Sequence, residues 1–281
     1  MNHLGGQRVQ LLTPTLDLGA FFDRVRRAAD RVLMLDYDGT LAPFNVDRTK
    51  AVLYPEVRTV LPSLLRLPNC RTVIVSGRAI ADLAGLIGVR PLPEIWGSHG
   101  WEHLSADGEY SLAQLDTASL AVLRRAGEIL DSLGAPNLRE DKPVSVAAHW
   151  RGLPAAEADS LRRHVQHAWV GLIGVGRPLE LHPFDGGLEL RAKGRNKGSV
   201  ITEVLAGLSD DAAAAYLGDD LTDEDAFGAM AGKGLRVLVR PTLRDTLADL
   251  WLQPPDELVE FLGRWKRACS ATDNTRAASD A

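Results

Sequence analysis

Short unbroken apolar runs alternate with stretches of helical periodicity along most of this chain, and the run from Val32 to Leu35 is the one that organises the rest. Four apolar residues in succession suit a parallel strand covered on both faces. That strand delivers two acids, Asp36 and Asp38, at its C-terminal end, and Gly39 opens the loop behind them. Before it, residues 1–15 lack periodicity and read as a loose leader, whereas Leu18 to Ala29 reads as a helix. After it, Val57, Val60, Leu61, Leu64 and Leu65 recur at helical spacing within Pro55 to Leu67, where Pro55 suits a first turn and Pro62 is awkward. Thr72 to Val75 is predicted as a second buried strand, Ala79 to Ile87 as a helix and Ile95-Trp96 as a third short strand. Strand and helix alternating in this way imply right-handed parallel crossovers.

The pattern changes near residue 104. Asp107-Gly108 suits a tight hairpin turn, Thr117 to Leu133 a helix, and Val144 to Trp150 alternates loosely as a half-exposed strand does. Ala155 to Val170 is a further predicted helix, followed by a Gly-rich connection from Gly171 to Gly176. Leu179 to Leu181 and Leu188 to Leu190 read as short strands about the turn Asp185-Gly186-Gly187. The first pattern then resumes: helix Gly198 to Leu208, strand Ala214 to Leu217, helix Thr222 to Met230, strand Leu235 to Val239, and helices over Leu243 to Leu250 and Pro255 to Trp265. The last dozen residues, polar and Ala-rich, read as disordered. The expected fold class is α/β, a doubly wound, Rossmann-like parallel-sheet core over 1–103 and 187–281 with an inserted α+β module over 104–186.

Composition narrows the partners. Of 281 residues, 45% are apolar and 25% charged, an ordinary globular balance. Lys plus Arg number 32 against 37 for Asp plus Glu, and the net charge of −5 gives no basic field to recruit nucleic acid; any phosphate-binding charge must be local. No run approaches the roughly 20 apolar residues of a membrane span, and the N-terminus lacks the long apolar stretch of a signal peptide. A cytoplasmic monomer with neither membrane nor nucleic-acid partner is expected. Cys70 and Cys269 lie far apart in sequence and fit no metal spacing; Cys70 reads as core and Cys269 as part of a polar tail, in a reducing compartment. His164 and His167 have no Cys or third His nearby and read as a helix surface.

The chemistry gathers where open α/β sheets bind ligands, at the carboxyl ends of strands. Asp36 and Asp38, one residue apart on an extended segment, project to different sides, so one acid can attack or bind metal while the other handles a proton. Asp and Gly simply making a turn is the plainer alternative. Ser76, after the second strand, offers a hydroxyl and nearby amides to an anion. Lys197, opening a helix, is a compact cation within reach of a phosphoryl oxygen. Asp219, Asp220 and Asp223 follow a strand directly, although acids there also satisfy a helix dipole. Asp36, Asp38 and Asp219 meeting at one edge would be a costly cluster without a cation, and oxygen-only ligands suggest Mg²⁺. Together these parts specify phosphoryl transfer. Asp36 attacks phosphorus in line and forms an aspartyl-phosphate, while Mg²⁺, Ser76 and Lys197 neutralise the equatorial oxygens. Asp38, held protonated by its surroundings, serves the leaving alkoxide and then the hydrolytic water, a contribution of about 10²–10⁴-fold.

Four segments carry a resemblance: Asp-Tyr-Asp-Gly-Thr-Leu-Ala-Pro at 36–43, Val-Ser-Gly-Arg at 75–78, Asn-Lys-Gly at 196–198 and Gly-Asp-Asp-Leu-Thr-Asp-Glu-Asp-Ala-Phe at 218–227. In order, and with a long insertion between the second and third, they resemble the motifs of haloacid dehalogenase superfamily phosphatases and, more narrowly, of the trehalose-6-phosphate phosphatase family. The likeness covers roughly Leu33 to Val239. It implies Mg²⁺ held by Asp36, the backbone carbonyl of Asp38, Asp219 and the further acids Asp220 and Asp223, and release of phosphate from trehalose 6-phosphate. It also implies that the insertion is a cap closing over the sugar, read by Glu140, Lys142, Arg151 and Glu189. Arg78, His99, Gly100 and Asn196 are the other substrate candidates. Charged readers suit a disaccharide rich in hydroxyls, because a site built on such hydrogen bonds rejects substrates that leave them unpaired. Ala192 stands where the family often has Pro, a matter of loop and not of chemistry. Another sugar phosphate, such as sucrose phosphate or a glucosyl- or mannosylglycerate phosphate, is an alternative substrate. A sugar phosphomutase and a catalytically silent sensor are alternative functions; retention of Asp36, Asp38, Lys197 and Asp219 argues against the sensor.

Overall fold

The computed structural model describes residues 3–4, 7–45, 47–173, 178–184, 186–209 and 211–270. The chain opens with β1 (His3–Leu4), β2 (Gln7–Arg8), β3 (Gln10–Leu11) and α1 (Leu18–Arg27), and continues through β4 (Arg31–Leu35), α2 (Pro55–Leu64), β5 (Cys70–Val75), α3 (Ile80–Ile87) and β6 (Glu94–Gly97). Two short strands follow, β7 (Glu102–Leu104) and β8 (Tyr110–Leu112). Next come α4 (Thr117–Ser132), β9 (Arg139–Lys142), β10 (Ser145–His149), α5 (Ala155–Leu172), β11 (Leu179–Phe184) and β12 (Gly187–Ala192). The chain ends in α6 (Lys197–Ala206), β13 (Ala213–Gly218), α7 (Asp223–Met230), β14 (Leu235–Val239), β15 (Leu250–Leu252) and α8 (Asp256–Ser270).

Contacts divide the chain into two compact units, one made of 1–111 and 196–281 and the other of 112–195. The first is built on a nine-stranded sheet in the order β3-β15-β14-β13-β4-β5-β6-β7-β8. From β15 to β6 the pairings are parallel, and β3 and β7 add antiparallel to the two ends. The strand order reverses at β4: β5 and β6 run off on one side, while β13 and β14 return on the other. Such a switch point leaves a crevice at the strands' carboxyl ends, where ligands of α/β sheets bind.

Coverage on both faces explains the unbroken apolar run in β4. Leu33 and Leu35 join a core with α1, α2, α3 and α8 residues such as Phe22, Leu61, Leu83 and Phe261. Val32 and Met34 face the other way, into a core with Val200 and Ile201 of α6 and Phe227 and Met230 of α7. Burying each such side chain stabilises the fold by roughly 1.5–3 kcal/mol. The second unit is an antiparallel sheet in the order β11-β12-β10-β9, backed by α4 and α5, with Trp169 Nε1 donating to the Ala126 carbonyl at 3.2 Å.

Several sequence expectations change. Residues 1–15 are not a loose leader throughout, because Gln10 and Leu11 pair with Trp251 and Leu250 and extend the sheet. Leu243 to Leu250 is not a helix. Arg244 and the Leu247 amide are tied to Glu224, and Leu250 to Leu252 turns into a strand beside β14. The division between units falls at 111/112 and 195/196 rather than at 103/104 and 186/187, because β7 pairs with β6 while β12 pairs with β10 and β11. α8 runs five residues beyond Trp265 to Ser270 and carries Cys269, 1% exposed, into the core rather than into a tail. His164 and His167 are exposed on α5. The expected disorder of the last dozen residues falls on 271–281, outside the described residues, as do 174–177 of the Gly-rich connection and position 185 of the turn. Among the described residues no helix is long and apolar enough to cross a membrane.

Candidate active site

Asp36 leaves the end of β4 with its amide donating to the Leu217 carbonyl at 2.9 Å, which locks the acid beside β13. Lys197 is aimed at it from the first turn of α6. Asn196 caps that helix: its side chain accepts from the Ser199 amide, and Ser199 Oγ accepts from the Asn196 amide. The buried Lys197 Nζ donates to Asp36 Oδ1 and to Asp223 Oδ1, each at 2.6 Å. Asp223 opens α7 and is wholly buried. Its Oδ1 also accepts from the Tyr216 hydroxyl, and its Oδ2 accepts the amides of Asp219 at 3.0 Å and Asp220 at 2.9 Å. Asp223 thus shapes the loop that carries Asp219. Asp220 is exposed and turns its carboxylate to the Leu221 amide, so of these two acids Asp223 is the one in the cluster.

Carboxylate oxygens of Asp36, Asp219 and Asp223 lie within 4.8 Å of one another. Burial, then the Asp223 and Asp219 charges, push Asp36 well above the usual carboxylate range against the pull of Lys197. Burial first and Asp223 next push Asp219 up to about 7. Burial works against the Lys197 charge, but Asp223 and Asp36 outweigh it and hold the ammonium above its usual range. Lys197 therefore bridges two of the three acids. Asp219 Oδ1 is buried without a hydrogen-bond partner, an unmet demand of the kind a bound ion satisfies. Oxygen-only, anionic and orphaned donors fit a hard divalent cation such as Mg²⁺, with Asp36 and Asp219 as the acids to hold it and Asp223 bracing them.

Gly39 permits this approach. Its φ is +80°, and a Cβ built there would fall 2.0 Å from Asp219 Oδ2. Gly39→Ala is therefore expected to push Asp219 aside while the sheet stays folded. Turnover at this centre should fall by about 10²-fold, since displacement near 1 Å is worth that much. A melting curve with and without Mg²⁺ checks the cause: the wild type should gain stability from the ion and the variant should not.

Around this centre the sheet register sets Leu35 beside Ile74, so Asp36 and Ser76 emerge from neighbouring strands. Ser76 is 1% exposed; its amide donates to Trp96 and its Oγ accepts the Arg78 amide at 3.1 Å. Arg78 forks both oxygens of Asp38, at 2.6 Å and 2.7 Å, and also donates to the Arg48 carbonyl. The neighbour that engages both oxygens of Asp38 is thus a guanidinium. His99 follows Ser98 in left-handed backbone, with φ of +56° and +49°. Its ring lies so near Gly77 that a Cβ there would sit 2.6 Å from Nε2, which places His99 and Gly100 directly behind the Ser76 turn.

In the second unit, Glu140, Lys142, Ser145 and Glu189 share one face, because Lys142 pairs across from Ser145 and both glutamates from Ala147. Lys142 Nζ and Ser145 Oγ each donate to Glu189 Oε1 at 2.7 Å, and His149 Nε2 lies 2.8 Å from Glu140 Oε2. Arg151 lies in the turn after β10, against Gly186. The sequence reading missed Ser145 and His149, although their alternation with Ala147 within β10 marks the same face. It also missed Thr40, whose hydroxyl is 3.3 Å from Asp36 Oδ2, and Tyr216. Arg240 and Arg244 went unnoticed as well; they donate to the Asp219 carbonyl, and Arg244 also donates to that of Asp220. Asn196, expected at the substrate, is occupied as a helix cap.

Solved structures share this fold. The C-terminal domain of Candida albicans trehalose-6-phosphate phosphatase superposes with a TM-score of 0.74 at 22% identity, covering 92% of this chain and 99% of that one. An Aspergillus fumigatus trehalose-6-phosphate phosphatase (crystal form 3) gives 0.64 at 24%, covering 91% and 99%. BT1666 from Bacteroides thetaiotaomicron, a phosphatase of the haloalkanoate (HAD) superfamily, gives 0.55 at 15%, covering 84% and 95%. The fold class is that of the haloacid dehalogenase superfamily phosphatases. Within it, residues 34–249 match the trehalose-phosphatase family. A trehalose-phosphate phosphatase of Mycobacterium ulcerans is 34% identical over 249 residues, covering 83% of this chain and 60% of the relative. Trehalose-phosphate phosphatase B of Arabidopsis thaliana is 32% identical over 277 residues, covering 88% and 70%. The chain belongs to the trehalose-phosphatase family, and it spans about 60% of the length of the mycobacterial relative.

Proposed function

We propose that this chain hydrolyses trehalose 6-phosphate to trehalose and phosphate, with Mg²⁺ and through an aspartyl-phosphate on Asp36. Family membership supports the substrate. The observation that carries the chemistry is the buried Lys197, which holds one oxygen of Asp36 and one of Asp223 at 2.6 Å each beside the orphaned oxygen of Asp219. Lys197 fixes the orientation of the Asp36 carboxylate, and the Thr40 hydroxyl lies 3.3 Å from Asp36 Oδ2. Pre-orienting a nucleophile removes entropy that the reaction would otherwise have to lose.

An oxygen of Asp36 bonds to phosphorus as the bond from phosphorus to the sugar oxygen breaks, and Asp38 supplies the proton that the departing alkoxide needs. Asp38 then takes a proton from water, whose oxygen bonds to phosphorus while the acyl-phosphate bond breaks and the Asp36 carboxylate is restored. Both oxygens of Asp38 are engaged by Arg78, so the acid role requires that fork to open. A phosphate dianion competes for the same guanidinium. Ser76 and Lys197 hold the equatorial oxygens. Asp36, the Asp38 carbonyl and Asp219, braced by Asp223, would hold Mg²⁺, which would supply charge neutralisation at the phosphoryl group. In the second unit, Glu140, Lys142, Arg151 and Glu189 read the sugar hydroxyls.

The test is phosphate release from trehalose 6-phosphate, sucrose 6-phosphate, glucose 6-phosphate and p-nitrophenyl phosphate, each in Mg²⁺ and in chelator. A strong preference for trehalose 6-phosphate that chelator abolishes is expected. Mg²⁺-dependent turnover favouring another sugar phosphate would keep the core chemistry and overturn the assigned substrate. Turnover that survives chelation would overturn the metal.

A further inference from the structure

Cys70 and Cys269, separated by nearly two hundred positions, bring their sulfurs to 3.9 Å. Cys70 is the first residue of β5 and is partly exposed; Cys269 sits in the last turn of α8 and is 1% exposed. The two sulfurs are not equivalent. Trp265 Nε1 donates to Cys70 Sγ at 3.3 Å, and the Cys269 thiol also donates to it. Arg31 is the direct cross-strand neighbour of Cys70 and is 4% exposed, with Nε and Nη2 donating to the carbonyls of Val25 and Arg26. Two donors and a buried guanidinium thus favour negative charge on the Cys70 sulfur. The Cys269 hydrogen bond and the Trp265 and Arg31 groups lower the Cys70 thiol below its usual range against burial, whereas Cys269 is held above its own. Reactive cysteines occupy such electropositive, partly accessible settings, and a second thiol within reach makes oxidation reversible.

We propose that Cys70 and Cys269 form a peroxide-reactive dithiol that closes to a disulfide and fastens α8 to β5. The Cys70 thiolate attacks one peroxide oxygen; a sulfur–oxygen bond forms, the oxygen–oxygen bond breaks, and the departing oxygen takes a proton to leave as water or an alcohol. Cys70 is then a sulfenic acid. The Cys269 sulfur attacks the Cys70 sulfur, the sulfur–sulfur bond forms, and the sulfur–oxygen bond breaks with hydroxide taking the Cys269 proton as water. The two thiols give up two electrons and the peroxide is reduced by two. The buried partner resolves the partly exposed one before a second peroxide reaches it, and it needs no second protein chain. The bond would close a loop across 199 positions, the case in which a cross-link constrains the unfolded chain most. None of this depends on which phosphate ester the active site takes.

The test uses the full chain, reduced and then treated with hydrogen peroxide. Peptide mapping should find Cys70 joined to Cys269 within one molecule, both thiols lost together, the mass lower by two hydrogens and the change reversed by dithiothreitol. Thermal melting of the oxidised protein should rise by several degrees. In Cys269→Ser, dimedone should trap a sulfenic acid on Cys70; in Cys70→Ser, Cys269 should stay unmodified. Sulfinic acid on Cys70 of the wild type with no cross-link, a cross-link only between molecules, or faster reaction at Cys269 would each overturn the proposal. The wild-type mapping stands even if a variant fails to fold. A cross-link that leaves the melting temperature unchanged would overturn the fastening role.

Discussion

Asp36→Asn is expected to lower turnover of trehalose 6-phosphate by roughly 10⁴-fold or more, the scale on which losing a nucleophile acts, while leaving the protein folded. The fold should survive because Lys197 keeps Asp223 at 2.6 Å and an amide oxygen can still accept from it. The substitution also removes one of three crowded acids, and burial already disfavours the charge on Asp36. The metal-free melting temperature should therefore hold steady or rise. Initial rates of phosphate release beside a melting curve in chelator check both halves. Turnover within tenfold of wild type would remove Asp36 from the nucleophile's role, and a collapse of the melting temperature would mean that the charge of Asp36 is structural.

The opposite balance is expected of Lys197→Met, where stability and activity should fall together. Breaking a buried ion pair by removing one partner costs about 3–5 kcal/mol. For a chain of this size that corresponds to a drop of roughly 10 °C in melting temperature. Asp223 keeps the Tyr216 hydroxyl and two backbone amides, so Asp36 and Asp219 are the acids left uncompensated. Mg²⁺ should then return more stability to the variant than to the wild type, a reading of the cluster independent of turnover. Turnover itself should fall by about 10²–10³-fold, as when one fixed donor to a developing charge is lost. An unchanged melting temperature together with rates within tenfold would refute the bridging role.

The residues at strand ends were legible because the same pattern that marks a buried parallel strand also marks its edge. Val32 to Leu35 could only sit between two covered faces, so Asp36 and Asp38 had to emerge at the crevice. Asp223 was harder to assign, since an acid in a first helical turn has a local justification in the dipole; only the fold shows Lys197 meeting it across 26 positions. Leu243 to Leu250 has apolar residues at helical spacing, yet Arg244 and Leu247 are held by Glu224 and by the loop carbonyls, and tertiary bonds win over periodicity. The hairpin signal near Asp107 moved the predicted boundary early, because an antiparallel extension of a parallel sheet looks locally like the start of a new module. Nothing local relates Cys70 to Cys269, and no spacing rule could have joined them.

The position of β4 between β5 and β13 has a consequence for how the molecule comes into being. Asp36 and Ser76 are made in the first part of the chain, but Lys197 lies 161 residues from Asp36, and Asp223 is further still. The pairings of the second unit are closer in sequence, with Lys142 and Glu189 47 residues apart. Bringing distant segments together is slow relative to closing near ones. On a growing chain the second unit can order by itself while the central sheet is half built, with the edge of β4 open toward the missing β13. The interval before β13 arrives is when this protein is most exposed to pairing with the wrong strand.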